Sequence, residues 1–194
     1  LLVCAAVVAA CLHETPSPAR PERVDLAEHA RTIEALRAPK RERPLIAILA
    51  DNAGTETTDF IVPYGVLVAS GRADVVTVAP DASPIQLMPA LRVLPQSTIE
   101  AFDDRHPDGA DYVIVPAMHH TDRPALLDWI RAQSTGGATI VAVCSGALVV
   151  AEAGLLDGRA ATTHWFDLDD LERDHPTIRR VDDRRYVVDR GVVT

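Results

Sequence analysis

The chain has 194 residues, a formal net charge of −9, 47% apolar residues and 24% charged residues. This composition is typical of a soluble globular protein with a sizeable core, and it excludes a generally disordered chain. Three cysteines are too few for a disulfide framework. The acidic balance argues against a nucleic-acid-binding protein, and the sequence contains no motif of a nucleotide-binding loop or a zinc protease.

The first segment, residues 1–12, is apolar throughout (LLVCAAVVAACL). It is too short to span a bilayer, and its length and small residues are typical of the apolar core of a signal peptide. Its last four residues before Leu12 (VAAC) resemble a bacterial lipobox, in which Cys11 would be lipidated. An ordinary signal peptide and the end of a membrane helix are the alternatives. We therefore expect export or membrane anchoring through the N-terminus, in the bacterial periplasm or cell envelope; a mispredicted start would instead leave the protein cytoplasmic.

Residues 13–43 differ in composition from what precedes and follows them. They are rich in proline and charge, which predicts a linker, and the apolar spacing before Pro39 predicts a short amphipathic helix within it. Residues 44–194 then hold 12 basic and 22 acidic residues, a net charge of −10. The acidity belongs to this last part, so we expect no direct nucleic-acid binding by it.

From residue 44 onward, apolar runs alternate with helical patterns. Continuous apolar runs predict strands buried on both faces, and they lie at residues 44–50, 73–80, 111–117 and 138–144. Helical patterns lie at residues 58–70, 124–134 and 146–153, whereas 85–95 predicts a hairpin or irregular crossover and 184–193 a hairpin. The alternation predicts an α/β fold, a flavodoxin-like doubly wound parallel sheet in three α/β/α layers.

A cysteine lies where function is expected in such a sheet, at the carboxyl end of a strand. Cys144 follows the fourth predicted strand and precedes a helix, in the small-x-nucleophile-x-Gly spacing of a nucleophile elbow. The helix N-terminus should stabilise a thiolate there. The backbone N–H groups of the turn through Ser145 and Gly146 can hold an oxyanion. A buried structural cysteine is the alternative.

The stretch from residue 142 to 165 (AVCSGALVVAEAGLLDGRAATTHW) resembles the signature of the DJ-1/PfpI family, within the class I glutamine amidotransferase-like superfamily. Residues 58–71 share the resemblance, which extends from residue 44 to the end. The most similar branch holds isonitrile-hydratase-like proteins and the amidotransferase-like domains of AraC-type regulators. Relatives add a strand and a closing helix after a segment like DRGVVT. The resemblance therefore implies that the domain at 44–194 lacks these C-terminal elements. Because the sequence also begins at Leu1 without a methionine, we expect it to be a fragment at both ends.

The resemblance also implies roles for particular side chains. The family has an acidic residue that contacts the cysteine, and Asp59 matches it; Glu56 is the alternative carboxylate, and a helix cap is the alternative role for Asp59. A carboxyl beside Cys144 would share a proton with it and act as acid or base. His164 matches a histidine near the cysteine, with a structural histidine as the alternative. Ser145 stands where the protease-like branch has histidine, so we expect no peptidase.

The oxyanion donors depart from the family pattern. Many members have a glycine pair after the third predicted strand, whereas this chain has PAMHH at residues 116–120. The backbone of Ala117 or Met118 can still donate a hydrogen bond, together with Ser145 at the elbow. His119 can line the pocket.

The acidic cluster FDLDDLERDHP at residues 166–176 has two interpretations. A metal site would use its carboxylates, but the cluster lacks the spacing of a calcium loop and better fits the charged face of a short helix. We predict no metal and no cofactor.

Three functions are compatible with these residues. The first is an enzyme in which the Cys144 thiolate adds to a small electrophilic molecule, and the resemblance suggests isonitriles or reactive aldehydes. The second is a non-catalytic ligand- or stress-sensing domain of an AraC-type regulator. The third is a redox role, since an elbow thiolate oxidises readily. The family resemblance further implies a homodimer.

Overall fold

The computed structural model describes residues 26–194, in which short strands alternate with helices. The strands are β1 (Leu45–Leu49), β2 (Thr55–Glu56), β3 (Asp74–Ala79), β4 (Ile85–Met88), β5 (Leu91–Val93), β6 (Ser97–Thr98), β7 (Tyr112–Val115), β8 (Thr139–Ala142), β9 (Ala160–Ala161), β10 (Arg179–Arg180), β11 (Val188–Asp189) and β12 (Val192–Val193). The helices are α1 (Leu26–Ala35), α2 (Thr57–Ser70), α3 (Ile99–Arg105), α4 (Pro124–Thr135), α5 (Gly146–Glu152) and α6 (Leu168–Asp174), with a 3₁₀ helix at Trp165–Asp167.

The predictions for the leader, the lipidation of Cys11 and the start of the linker lie outside the described residues. Residues 32–194 form one compact unit, and the described residues 26–31 belong to a separate one. Among the helices of residues 26–194, none is both long and apolar enough to cross a membrane.

The main sheet has seven strands in the order β11-β12-β8-β7-β1-β3-β6. Its strands are parallel except β11, which pairs with β12 in the antiparallel direction. From β1 the chain crosses to β3 on one side, and it later returns to β7 on the other side of β1. The sheet is therefore doubly wound, with its switch point between β1 and β7. This confirms the predicted flavodoxin-like α/β class.

The long helices and strands lie close to the positions that the sequence patterns predict. The four strands predicted from apolar runs and the three predicted helices are present, with ends that differ by at most two residues. The hairpin predicted at 85–95 is β4 paired with β5, and β2 joins it to form a separate three-stranded sheet. The hairpin predicted at 184–193 is β11 paired with β12. The sequence patterns did not predict β6 and α3, which are short; α3 buries a single residue, Phe102.

Two apolar layers cover the faces of the sheet, as expected for strands with continuous apolar sequences. One layer packs sheet residues against helices α3, α4 and α5; its buried members include Val113, Val115, Ile140, Phe102, Leu126, Ile130 and Val149. The other layer packs the opposite face against α2 and the β4–β5 hairpin; its members include Ile46, Ile48, Ile114, Phe60, Ile85 and Leu87. This arrangement is the predicted α/β/α sandwich.

A cavity of about 570 Å³ opens near the amino end of β7, with Lys40, Arg41 and His106 among its lining residues. Its cations already have partners. The Lys40 ammonium donates to the carbonyls of Asp108 and Gly136, and Arg41 forms an ion pair of 2.9 Å with the buried Asp111. The cavity lies at the opposite edge of the sheet from Cys144, so strand polarity separates it from the expected chemistry.

Helix α5 approaches β7 closely where the chain turns after β8. A Cβ atom at Gly146 would lie 2.1 Å from the carbonyl oxygen of Val115 and 2.9 Å from the carbonyl carbon of Pro116. Both are backbone atoms of β7 and the residue after it, which cannot move aside as a flexible side chain can. Only glycine fits at this position.

We predict that Gly146→Ala destabilises the protein by about 3 kcal/mol, because the added methyl group overpacks against backbone. Gly136→Ala is the matched control. Gly136 has a φ of −71° and no atom closer than 3.4 Å to an added Cβ, so this change should alter stability by less than about 1 kcal/mol. Urea unfolding of the three proteins measures both values. Equal stability of the two variants would contradict the argument.

Candidate functional site

Cys144 has a backbone conformation that residues other than glycine rarely adopt. Its φ is 57°, in the left-handed region, which costs about 1–3 kcal/mol for a residue other than glycine. Hydrogen bonds on both sides hold the turn. The Val143 N–H donates to Val115 O at 2.9 Å, and the Gly146 N–H donates to Val143 O at 2.9 Å. The Thr163 hydroxyl donates to Cys144 O at 3.2 Å. The turn from β8 to α5 thus has the sharp geometry of a nucleophile elbow.

Asp59 is the carboxylate that faces this cysteine. It lies in the first turn of α2 and is buried, with 9% of its surface exposed. Its Oδ2 accepts a hydrogen bond from the Ala117 N–H at 3.2 Å, and Cys144 lies close enough for the thiol and the carboxyl to shift each other's pKa. Glu56 has a different position, because its carboxylate caps α2 by accepting from the Asp59 N–H at 2.7 Å. The tertiary structure therefore separates the two carboxylates that the sequence left open.

Burial raises the pKa of Asp59 to about 6. The hydrogen bonds from the Ala117 N–H and the Cys144 thiol act in the opposite direction, while the neighbouring charge of Glu56 raises the pKa further. At Glu56, partial burial would raise the pKa, but the hydrogen bonds from Asp59 and Thr58 outweigh it and the net shift is downward. A carboxyl group whose pKa lies near neutral pH is suited to acid–base catalysis.

The structure corrects one expectation about Cys144. Burial raises the pKa of its thiol, and the carboxylates of Asp59 and Asp167 raise it further, against hydrogen bonds from Ser145. Burial and these two carboxylates therefore oppose the stabilisation that the N-terminus of the seven-residue helix α5 gives a thiolate.

Asp167 is a site residue that the sequence reasoning placed on a solvated helix face. In the structure the Ser145 hydroxyl donates a hydrogen bond to Asp167 Oδ2, and the Cys144 Sγ lies 3.8 Å from the same hydroxyl. The neighbouring Trp165 and Phe166 are exposed, at 74% and 70%, and form an aromatic surface beside this contact. The acidic run contained this residue, but residue type alone did not show which carboxylate turns inward.

The oxyanion donors proposed from the sequence differ in availability. The Ala117 N–H is not free, because Asp59 accepts it. The Gly146 N–H is also used, by Val143 O within the turn. For the Ser145 N–H and the Met118 N–H, no hydrogen-bond acceptor is present among the described residues. Ser145 and Met118 therefore remain as candidate donors.

The two proposed histidines have other contacts. The Nδ1 of His164 accepts a hydrogen bond from the Phe166 N–H at 3.3 Å, which caps the 3₁₀ helix, and its ring packs on Trp165. This is the structural role that the sequence left open. His119 donates its backbone N–H to Gly54 O at 3.0 Å, and its ring lies edge-on to His120. Within residues 26–194 no group of three or more His, Cys, Asp or Glu residues could hold a metal ion.

Fold and site together define a class of protein: a doubly wound α/β domain with a cysteine elbow and a buried carboxyl against the thiol. Sequence comparison agrees with this geometry, because the profile of the DJ-1/PfpI family matches residues 45–194. The chain belongs to the DJ-1/PfpI family.

Similar proteins include both an enzyme and a regulator. The chain is 34% identical over 111 residues to an isonitrile hydratase of Pseudomonas putida, a match that covers 55% of this chain and 46% of the hydratase. It is 44% identical over 55 residues to the HTH-type transcriptional regulator CdhR of Pseudomonas aeruginosa, covering 28% of this chain and 16% of the regulator. These matches span less than half the length of either relative.

Solved structures share the fold. A crystal structure described as a putative transcriptional regulator protein from Vibrio parahaemolyticus superposes with a TM-score of 0.66 at 23% identity. The superposition covers 78% of this chain and 82% of that one.

We predict that the stability of Asp59→Asn relative to the wild type is greater at pH 8 than at pH 4. The folded-state pKa of about 6 lies above the unfolded value of about 3.9, so the folded state binds the proton more tightly. The wild type thus loses stability as pH rises from about 4 to about 6, and the loss is complete above that window. Asparagine carries no charge and avoids a cost of about 1–3 kcal/mol.

Urea unfolding between pH 4 and pH 8 measures this difference. Asp104→Asn, at an exposed position on α3, is the control and should show no such pH-dependent gain. A constant difference between Asp59→Asn and wild type across the range would show that Asp59 titrates normally.

Proposed function

We propose that the protein is a cysteine-dependent enzyme that acts on a small electrophilic molecule, with hydration of an isonitrile as the leading reaction. The observation that carries this proposal is the Cys144 thiol in a left-handed turn beside a buried Asp59 whose pKa is about 6. A carboxylate with this pKa is a suitable base for the neighbouring thiol when an electrophile is bound. The similarity to an isonitrile hydratase supports the same reaction.

In the first step, the Asp59 carboxylate takes the proton of the Cys144 thiol as the sulfur adds to the isonitrile carbon. Asp59 is mostly ionised at pH 7 because its pKa is about 6, whereas the thiol is protonated. The same proton then passes from Asp59 to the former isonitrile carbon. The product is a thioimidate, R–N=CH–S–Cys144, and the carboxylate is regenerated without any change of oxidation state.

In the second step, water adds to the thioimidate carbon. Asp59 accepts a proton from the water and delivers it to the nitrogen, after which the C–S bond breaks and an N-substituted formamide leaves. The thiol takes the remaining proton, so the net reaction adds one water to the isonitrile. With an aldehyde, the same pair would form a thiohemiacetal, and the N–H groups of Ser145 and Met118 would face the developing oxyanion.

A ligand-sensing domain of a transcriptional regulator is the second candidate. It is favoured by the local identity to an HTH-type regulator. The net charge of −10 on residues 44–194 leaves DNA binding to another part of such a protein. In this case the ligand would bind at Cys144 without turnover.

We also propose a homodimer formed through the outer face of α2. This helix is apolar around most of its circumference and leaves four aliphatic side chains exposed; they are Ile61, Val62, Val66 and Val68. A contiguous apolar helix face is typical of an interface. Because Asp59 lies one turn before Val62, a partner on this face would lie next to the site.

Export or envelope anchoring of the protein stays a prediction from residues 1–12.

We predict that the protein hydrates an isonitrile or converts methylglyoxal, and that Cys144→Ala abolishes the activity. Asp59→Asn should lower kcat by about 10²–10⁴-fold, because it removes the general acid–base while keeping the side-chain volume. Steady-state kinetics with both substrates measures these effects. Asp104→Asn, an exposed carboxylate change, is the control and should match wild type.

Two outcomes would redirect the proposal. Equal rates for wild type and Cys144→Ala would remove Cys144 from the mechanism. Binding of a small molecule by calorimetry without any turnover of either substrate would favour the sensing domain.

We predict that the double variant Val62→Glu/Val66→Glu is monomeric in sedimentation velocity experiments, whereas the wild type is dimeric. Burying two carboxylates in an apolar interface costs several kcal/mol. Leu94→Glu, at a residue that is 70% exposed on a loop, is the control and should leave the dimer intact. A dimer that survives the double variant would place the interface elsewhere.

A further inference from the structure

A polar cluster that the mechanism does not use lies at the switch point of the sheet. Asp51 follows β1, and the segment with His120 and Arg123 follows β7. Arg123 Nη1 lies 3.0 Å from Asp51 Oδ1, and His120 Nδ1 lies 3.5 Å from Asp51 Oδ2. β1 and β7 are the neighbours whose connections leave in opposite directions, and the crevice outside such a pair is where ligands bind in this fold class.

Asp51 is the buried member of this cluster and contacts both of the exposed side chains. Its side chain is fully buried, while the side chains of His120 and Arg123 are about half exposed, at 47% and 44%. Asp51 Oδ1 also accepts the Ala53 N–H at 3.0 Å. Its Oδ2 is buried without a hydrogen-bond partner among the described residues, and the nearest donor is the His120 ring. A buried carboxylate of this kind is retained where it orients the groups above it.

The groups above Asp51 present hydrogen-bond donors to the crevice. Arg123 uses Nη1 to bind Asp51, and within residues 26–194 its Nε and Nη2 have no acceptor. The guanidinium edge formed by these two nitrogens favours a bound carboxylate. Asp81, which is exposed and bound by Ser83, is the charge that competes for Arg123.

We propose that Arg123 and His120, positioned by Asp51, bind a carboxylate of the substrate while its electrophilic carbon meets Cys144. This inference rests on the proposed function and names its substrate class. β8, which leads to Cys144, lies two strands from β1, a separation of about 10 Å. The substrate is therefore a small electrophile that carries a carboxylate several bonds from the reacting carbon.

Alkylation of Cys144 tests the proposal without requiring turnover. The probes are N-iodoacetyl derivatives of glycine, β-alanine and 4-aminobutyrate, each paired with its neutral carboxamide. The rate at Cys144 is followed by mass spectrometry of its peptide, because Cys4 and Cys11 also carry thiols. The ratio of acid to carboxamide rates is divided by the same ratio for N-acetylcysteine.

The wild type should prefer at least one acid over its carboxamide by fivefold or more. Arg123→Gln should lower that preference at least fivefold, with a smaller loss in His120→Gln and a partial rescue in Arg123→Lys. Arg72→Gln, at an exposed arginine, is the control for net charge and should keep the preference. Asp51→Asn should lower the preference for the acid over its carboxamide, because Arg123 and His120 lose the carboxylate that positions them.

Two results overturn the proposal: a wild-type ratio equal to that of N-acetylcysteine for all three probes, or a preference that Arg123→Gln retains. Because the wild-type ratio needs no variant, poor folding of a variant does not decide the test. Absence of turnover with preserved acid preference would reject the proposed enzyme but keep the anion site. Turnover without acid preference would reject the site alone.

Discussion

The left-handed backbone at Cys144 is the constraint on which the rest of the site depends. A side chain in this conformation is strained, so the surrounding structure has to hold it. The carbonyl groups of Val115 and Val143 accept the N–H groups on either side of Cys144, and Gly146 lets α5 approach β7 without a clash. The parallel order of β7 and β8 thus places the thiol above the sheet edge, and the loops after the neighbouring strands supply its partners.

Burial at that edge sets the protonation of the site. The pKa of Asp59 and the pKa of Cys144 are both raised, each mainly by burial. The site therefore keeps its proton on sulfur and its negative charge on the carboxylate near neutral pH. A thiol resists oxidation better than a thiolate, so the burial and charge around Cys144 oppose a permanently ionised sulfur.

The switch point of the sheet brings side chains from the carboxyl ends of β1 and β7 to one crevice. The loop after β7 contacts both groups, because its Ala117 N–H binds Asp59 and its Arg123 binds Asp51 after β1. The proposed reacting group and the proposed recognition group therefore share one loop. Relatives that include a hydratase and a transcriptional regulator show that similar chains serve both chemistry and regulation, and function then depends on what the crevice binds.

The sequence by itself determined the class of the fold and the position of the turn that carries Cys144. Continuous apolar runs such as residues 44–50 predict buried parallel strands, and the small residues around Cys144 predict a sharp turn, because both signals are local. The sequence did not predict β6 and α3, whose few residues carry too little periodicity. It also left the roles of Asp59 and Glu56 open, since residue type does not show which carboxylate faces the cysteine.

Only the tertiary structure decided the contacts between distant segments. It brought Asp167 to Ser145, assigned the Ala117 N–H to Asp59 and joined Asp51 to Arg123. It also reversed the expected pKa shift of Cys144, because the sum of burial and two carboxylates exceeds the effect of a short helix. Such sums depend on distances across the fold, which no local pattern in the sequence contains.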